Sequence, residues 1–297
     1  MKLLLTGGSG FLGHSIIPLL EKSFEIKTLG FEKENDIICD LSKETPLINQ
    51  DFHVVLHAAG KAHLVPQSQE EVSMFFRINT EGTKKLCKSL ETNPPQTFVF
   101  ISTVAVYGIE SGLEINEDYP LNGNMPYAKS KIEAENFLKK WCHKYNVKLA
   151  ILRPSLIAGK NPPGNLGAMI KGMRTRRYLR IGDGNARKSI LMADDIARLI
   201  PKVIHKGGIY NVCDNHHPSF FELESLISKQ LGVNMPKAIS LRFAKILAKF
   251  GDVLGAKAPL NTNKLNKITQ SLTFSNEKAK NELDWEPLDV LENFKID

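Results

Sequence analysis

Short runs rich in apolar residues alternate with amphipathic stretches through the first half of the chain. Leu3–Leu5, Glu25–Leu29, Val54–His57, Thr97–Ser102 and Lys148–Leu152 read as strands. Most are near-continuous apolar segments, the pattern of strands buried on both faces. Between them, Gly13–Lys22, Ser68–Glu91 and Pro126–Tyr145 repeat their apolar positions at helical spacing and predict helices. The alternation predicts an α/β fold, a Rossmann-type doubly wound parallel sheet, with ligands held outside the carboxyl ends of the strands. After Arg153 the rhythm breaks at Pro154, Gly159, Pro162, Pro163, Gly164 and Gly167. Gly208–Val212 then reads as one more strand and Phe220–Leu231 as a helix. Leu241–Phe250 is a basic amphipathic helix whose apolar positions suit either a membrane surface or a core, and core packing is the expectation. The sheet domain is expected to span residues 1–153 with returning segments near 189–213; residues 154–188 and 214–297 would form a smaller C-terminal lobe.

The first predicted turn carries candidate chemistry. Thr6-Gly7-Gly8-Ser9-Gly10-Phe11-Leu12-Gly13 lies between a strand and a helix start. That arrangement presents free backbone N–H groups and a helix N-terminus to a pyrophosphate. Two glycine registers overlap, Gly8-x-Gly10-x-x-Gly13 and Gly7-x-x-Gly10-x-x-Gly13, and both remain open in the sequence. Gly7, Gly10, Phe11, Leu12 and Gly13 are the candidate dinucleotide contacts.

A second motif is Pro126-Tyr127-Ala128-Lys129-Ser130-Lys131. Pro126 favours a helix start, which sets Tyr127 and Lys131 four residues apart on one helix face. A lysine cation near a phenol favours the phenolate and should lower its pKa, fitting Tyr127 to take a proton from a sugar hydroxyl or return one to a ketone. The strand Phe98–Ile101 runs into Ser102-Thr103, so two hydroxyls are expected at the carboxyl edge of the sheet.

Composition narrows the alternatives. With 297 residues, 42% hydrophobic and 24% charged, the chain resembles an ordinary soluble enzyme, and a cytoplasmic location is expected. No apolar run reaches bilayer-spanning length, and the apolar start Leu3-Leu4-Leu5 stops too soon for a signal peptide. Cys39, Cys87, Cys142 and Cys213 are scattered without a CxxC pair, so no metal site and no disulfide framework is expected. The net charge of +7 is spread along the chain except for one basic stretch, Lys171, Arg174, Arg176, Arg177, Arg180, Arg187 and Lys188. That stretch lacks the aromatic interleaving of a nucleic-acid platform, and nucleic acid is not the expected partner.

Together these motifs resemble the extended short-chain dehydrogenase/reductases of the nucleotide-sugar epimerase/dehydratase group. Further matching segments are Asp40-Leu41, His57-Ala58-Ala59-Gly60, Asn79-Thr80-Glu81-Gly82-Thr83, Leu152-Arg153-Pro154, Asn165-Leu166, Asp194-Asp195-Ile196-Ala197, Tyr210-Asn211-Val212 and Leu283-Asp284-Trp285-Glu286-Pro287. The resemblance implies an NAD or NADP cofactor lined additionally by Asp40, Leu41, His57, Ala58, Ala59, Gly60, Asn79, Ser102 and Pro154, with Tyr127 and Lys131 at the nicotinamide end. It implies Thr103, Tyr127 and Lys131 as the catalytic group. A UDP-sugar would meet Thr103 and Tyr127, with Asn165 and Arg187 on its diphosphate. A homodimer through a four-helix interface is also implied.

Departures from the family pattern sharpen the expectation. Dehydratases of the group carry Asp-Glu directly after the catalytic Thr; Val104-Ala105 stands here, and neither side chain moves a proton. No Cys stands at this strand end for epimerisation at C3 and C5. Redox at C4 of a UDP-hexose remains, as a 4-epimerase or a 4-ketoreductase, and Gly60-Lys61-Ala62-His63 is more like the enzymes of surface-polysaccharide sugars. A non-catalytic NAD(P)-responsive binding protein is the alternative, against which Thr103, Tyr127 and Lys131 stand together. At the end of the second strand Gly30 replaces the acid expected to bind an NAD ribose; Glu32 and Lys33 point to opposite cofactors, so NAD and NADP both stay open.

Overall fold

The structure is a computed structural model that describes every residue except His63, 255–257, Pro259 and Asp297. The strands are β1 (Lys2–Thr6), β2 (Glu25–Gly30), β3 (Ile37–Ile38), β4 (Val54–His57), β5 (Thr97–Ile101), β6 (Gly112–Ile115), β7 (Lys148–Pro154), β8 (Leu156–Ala158), β9 (Arg180–Ile181), β10 (Ile190–Met192), β11 (Gly208–Val212), β12 (Ala238–Ile239) and β13 (Leu272–Phe274). The α-helices are α1 (Phe11–Leu20), α2 (Gln69–Phe75), α3 (Gly82–Ser89), α4 (Pro126–Lys144), α5 (Gly164–Arg174), α6 (Ala193–Lys206), α7 (Phe220–Leu231), α8 (Leu241–Leu254), α9 (Thr262–Thr269), α10 (Glu277–Leu283) and α11 (Val290–Asn293). None is long and apolar enough to cross a membrane.

Seven strands form one parallel sheet in the order β11-β7-β5-β4-β1-β2-β3. The near-continuous apolar runs have a direct reason. Leu3, Leu5, Val54, Leu56, Val99, Ile101, Ala150 and Leu152 bury one sheet face against α1 and α6. Leu4, Val55, Phe98, Phe100 and Ile151, alternating with them, bury the other against α3 and α4. Both faces are dry, so alternate positions are equally apolar. All four cysteines are buried and unpaired.

A separate cluster built from α5, α7, β8, β10 and α11 includes Leu166, Met169, Met173, Ile190, Leu223, Ile227 and Phe294. Two carboxylates tie the C-terminal segment to the sheet domain. Asp195, at the start of α6, accepts from Leu288 N at 2.9 Å, and Asp214 accepts from Val290 N at 2.8 Å.

Two elements differ from expectation. The single helix predicted over Ser68–Glu91 is α2 and α3 joined by a π-helical turn, Phe76–Glu81. The wider turn re-aims Asn79 and Thr80 toward α4, an interior polar demand that apolar periodicity does not register. α8 also departs from the core-packed expectation. Its inward stripe is Ala244, Ala248 and Gly251, whereas its large apolar residues face outward. The helix packs close through small residues, so the bulky ones are left on the other side.

Candidate functional site

The glycine loop leaves β1 and enters α1 at the carboxyl edge of the sheet, and its geometry decides between the two registers. Gly7 has φ +79°, and a Cβ there would lie 2.6 Å from Ala59 N. A Cβ on Gly13 would lie 2.3 Å from Gly8 O. Gly8 meets only the flexible ends of Ile17 and Thr28, at 3.3 Å and beyond. Gly7 and Gly13 are therefore the glycines that the backbone requires, with Gly10 at the helix N-cap between them. No side chain caps α1. Its first-turn N–H groups, at Phe11 and Leu12, keep their capacity to meet an anion.

Beside the loop, the end of β4 is held by an oriented hydrogen-bond chain. Ala59 N–H donates to Thr6 Oγ1 at 3.2 Å, and Thr6 Oγ1 lies 2.6 Å from His57 Nδ1. His57 Nε2 lies 2.9 Å from Thr83 Oγ1, which donates to Asn79 O at 2.6 Å. Each hydroxyl has one proton, so the chain closes when neutral His57 carries its proton on Nε2. Burial, with the Lys131 charge adding to it, drives the His57 pKa down to about 3. Among the predicted cofactor-lining residues, His57 is a rigid strut under Ala58-Ala59-Gly60.

Asn79 joins that strut to the helix bearing Tyr127 and Lys131. Its Oδ1 accepts from Lys61 N at 2.7 Å, and its Nδ2 donates to Lys61 O at 3.1 Å and Ser130 Oγ at 2.9 Å. Thr80 Oγ1 donates to Ser130 O at 3.0 Å. The π-helical turn thus clamps α4 one residue before Lys131. Lys131 Nζ donates to Ile101 O at 2.9 Å and sits 4.6 Å from the Phe100 ring centroid. A Cβ on Gly60 would come within 3.1 Å of Lys131 Nζ and of Asn79 Oδ1. Gly60 therefore keeps the approach to the lysine open.

Thr103 and Tyr127 meet across the strand end. Thr103 caps the 3₁₀ turn Val104–Tyr107 by accepting from Ala105 N at 3.1 Å. Burial pushes the Tyr127 hydroxyl up to about 12, against a smaller pull down from its hydrogen bond with Thr103. This corrects the expectation that Lys131 lowers the tyrosine. Burial brings Lys131 itself down to about 8, partly offset by Glu135, and its ammonium is turned to the Ile101 carbonyl.

Ser102 is also corrected in detail. Its hydroxyl is buried and donates to Glu135 Oε1 at 2.5 Å, while its amide donates to Leu152 O at 2.7 Å. The side chain that was expected to emerge beside Thr103 belongs to an interior network. Glu135 receives Arg153 Nε at 3.1 Å and Nη2 at 2.7 Å. Arg153 Nη1 donates to Tyr107 OH at 3.0 Å, and Tyr107 OH donates to Asn211 Oδ1 at 2.6 Å. Burial opposes the Arg153 charge, but Glu135 and Tyr107 together outweigh it and raise the Arg153 pKa. The motif reading passed over Glu135 and Tyr107. The signal was present, since an arginine in the apolar strand β7 demands a buried carboxylate.

Of the remaining predicted residues, Asp40 spends Oδ1 on its own turn, accepting from Ser42 N and Ser42 Oγ, and pairs with Lys43 at 3.0 Å. Leu41 packs against Gly82. Pro154 closes β7. Asn165 is exposed on the first turn of α5, and exposed Arg187 reaches His217 O at 2.7 Å and Glu222 at 3.3 Å. Among the described residues, neither shares a hydrogen bond with Thr103, Tyr127 or Lys131. Gly30 abuts Asn35, whose side-chain amide would lie 2.9 Å from a Cβ, so an acid at position 30 would require the Asn35 side chain to move aside. His63 lies outside the described residues.

The sequence profile of the NAD dependent epimerase/dehydratase family matches residues 3–213. The chain belongs to that family. A relative, the N-acetyl-α-D-glucosaminyl-diphospho-ditrans,octacis-undecaprenol 4-epimerase of Escherichia coli O157:H7, is 24% identical over 296 residues, covering 93% of this chain and 88% of its own. The structure of UDP-glucuronic acid 4-epimerase from Bacillus cereus with UDP-glucuronic acid and NAD superposes with TM-score 0.74 at 21% identity, over 99% of this chain and 96% of that one. RMD from Pseudomonas aeruginosa, complexed with NADPH, superposes with TM-score 0.72 at 21% identity, over 98% and 96%. Both neighbours share the Rossmann-type sheet and helices described above.

Proposed function

We propose that this family member is an NAD(P)-dependent oxidoreductase acting at C4 of a diphosphate-linked hexose, in the first instance a UDP-hexose. The observation that carries the reading is the convergence of Thr103, Tyr127 and Lys131 at the carboxyl edge of the sheet, beside a loop shaped for a dinucleotide. The loop fits the cofactor because glycine at 7 and 13 lets the turn close tightly against Ala58-Ala59 and onto the start of α1, whose N–H groups have no side-chain cap. Gly7, Gly10, Phe11, Leu12 and Gly13 would hold the pyrophosphate, and Lys131, next to Gly60 and Asn79, the nicotinamide ribose. When bound, NAD(P) supplies or accepts the hydride.

In this reading Thr103 hydrogen-bonds the C4 oxygen and Tyr127 moves its proton. With its pKa raised to about 12, Tyr127 rests protonated and suits proton donation to a 4-keto sugar. Oxidation of a 4-hydroxyl requires the reverse transfer, which Lys131 would favour once its ammonium is redirected from Ile101 O. Asn165 and Arg187 are assigned to the substrate diphosphate, residues 1–153 and 189–213 to the cofactor domain, and the rest to the substrate lobe. The family includes dehydratases by its description; Val104 and Ala105 after Thr103 offer no acid or base for eliminating water. A homodimer completes the proposal.

The test incubates the protein with UDP-hexoses and UDP-4-keto-hexoses, with NAD(H) or NADP(H), and follows absorbance and product stereochemistry. NAD retained through purification marks a 4-epimerase, whereas exchangeable NAD(P)H marks a 4-ketoreductase. A hexose on undecaprenyl diphosphate, the kind of carrier named for the E. coli relative, is included; turnover of it alone would replace the UDP carrier. No turnover with any substrate would overturn the reading.

A further inference from the structure

The outward face of α8 has no role in the chemistry above. At 100° per residue, Phe243, Ile246, Leu247, Phe250, Val253 and Leu254 fall in one arc of about 120°. All six are exposed, with Phe250 at 69%, Val253 at 87% and Leu254 at 72%. The opposite stripe, Ala244, Ala248 and Gly251, packs on Leu265 of α9 and on Ile181, Ile239 and Leu260. The apolar arc is therefore left over after the helix has met its own core, and it is too continuous for scattered surface hydrophobes.

Charge on the same helix selects the occupant. Arg242, Lys245 and Lys249 form an exposed stripe along one border of the arc. The acid on α8, Asp252, is exposed on the far side of the basic stripe from the apolar arc, and it is engaged by Thr262, whose N–H it receives at 2.8 Å and whose hydroxyl at 2.5 Å. The exposed helix surface is thus an apolar band edged by positive charge, on a chain of net charge +7. A protein partner would require matching acids; an anionic bilayer supplies both an apolar interior and a negative surface.

We propose that α8 docks the protein on the surface of an anionic phospholipid bilayer, lying in the interface with Phe243, Ile246, Leu247, Phe250, Val253 and Leu254 among the acyl chains and its basic stripe at the headgroups. This is peripheral attachment by a 14-residue helix. It revises the core-packing expectation for Leu241–Phe250.

The test is flotation of the full chain with vesicles of phosphatidylcholine alone or mixed with phosphatidylglycerol, in the absence of substrate and cofactor. The protein should float with the anionic vesicles, and raised salt should weaken the association. The pair Lys245→Gln and Lys249→Gln should lower the partition constant by roughly thirtyfold. The triple variant Phe243→Ser, Ile246→Asn, Phe250→Ser should abolish flotation, with circular dichroism and melting retained because these side chains face away from the core. Absence of wild-type flotation, or flotation untouched by both variants, would overturn the proposal. So would light scattering that shows a dimer dispersed by the triple variant, because a second copy would then cover α8. Without sugar or cofactor in the assay, none of these results bears on Thr103, Tyr127 and Lys131.

Discussion

Replacing Glu135 by Gln would leave the Arg153 guanidinium buried without its counter-charge. Glu135 is fully buried and Arg153 is 2% exposed, and the two are joined by bonds of 2.7 and 3.1 Å. Breaking such a pair from one side costs about 3–5 kcal/mol, a large share of the roughly 5–15 kcal/mol that holds a typical domain together. Removing both charges, as Glu135→Leu with Arg153→Met, takes away the desolvation cost along with the attraction. What remains is the loss to Ser102 Oγ and Tyr107 OH of one partner each, about 1 kcal/mol apiece. The double variant should therefore be more stable than either Glu135→Gln or Arg153→Met. Urea unfolding at pH 7, followed by the fluorescence of buried Trp141 and Trp285, measures all four proteins. If Glu135→Gln lies within about 1 kcal/mol of wild type, or the double variant is no more stable than the two singles, the buried pair is not the coupled unit argued here.

Other outcomes follow from the same geometry. Gly7→Ala and Gly13→Ala should abolish binding of NAD(P), read by fluorescence titration, while Gly8→Ala should bind within a few-fold of wild type; equal effects would return the glycine register to doubt. Tyr127→Phe should reduce turnover by about 10²–10⁴ with cofactor affinity retained. Full activity in that variant would remove Tyr127 from the chemistry. His57, lowered to about 3 from 6.5, makes the unfolded chain bind one more proton across that window, so its contribution to stability rises with pH from 3 to 6.5 at up to about 1.4 kcal/mol per unit. Asp195, raised to about 6 mainly by burial, acts in the opposite sense between 3.8 and 6. The diagnostic is hence the difference from His57→Gln, which should be less stable at pH 7 yet lose the His57 slope in urea titrations between pH 4 and 6.5. Identical slopes would mean that folded His57 takes up protons normally.

The elements that position the site were legible where local pattern and tertiary demand agree. The strand runs read as apolar because both faces of the sheet are covered, so burial needs no alternation. Tyr127 and Lys131 could be placed on one helix face because helical spacing alone does that. The glycine loop could be recognised between its strand and helix, but its two registers are indistinguishable without Ala59, which meets it from the end of β4, and without the folded turn that brings the Gly7 and Gly8 carbonyls onto Gly13. Ser102 and Thr103 look equivalent in sequence. They diverge because the strand pleat turns Ser102 toward Glu135, 33 residues away, and leaves Thr103 at the mouth.

Local sequence sets the parallel α/β architecture, the place of the glycine turn between strand and helix, and the shared helix face of Tyr127 and Lys131. Those depend on short-range period, turn chemistry and spacing, which are properties of neighbouring residues. Long-range packing sets the protonation of Tyr127, the neutral tautomer of His57, which of Ser102 and Thr103 stays at the mouth, the π-helical turn that brings Asn79 onto α4, and the face that α8 shows to solvent. Each depends on what packs against a residue from far along the chain: burial sets the pKa values, and the close contact of Ala244, Ala248 and Gly251 with their neighbours sends the large side chains of α8 outward.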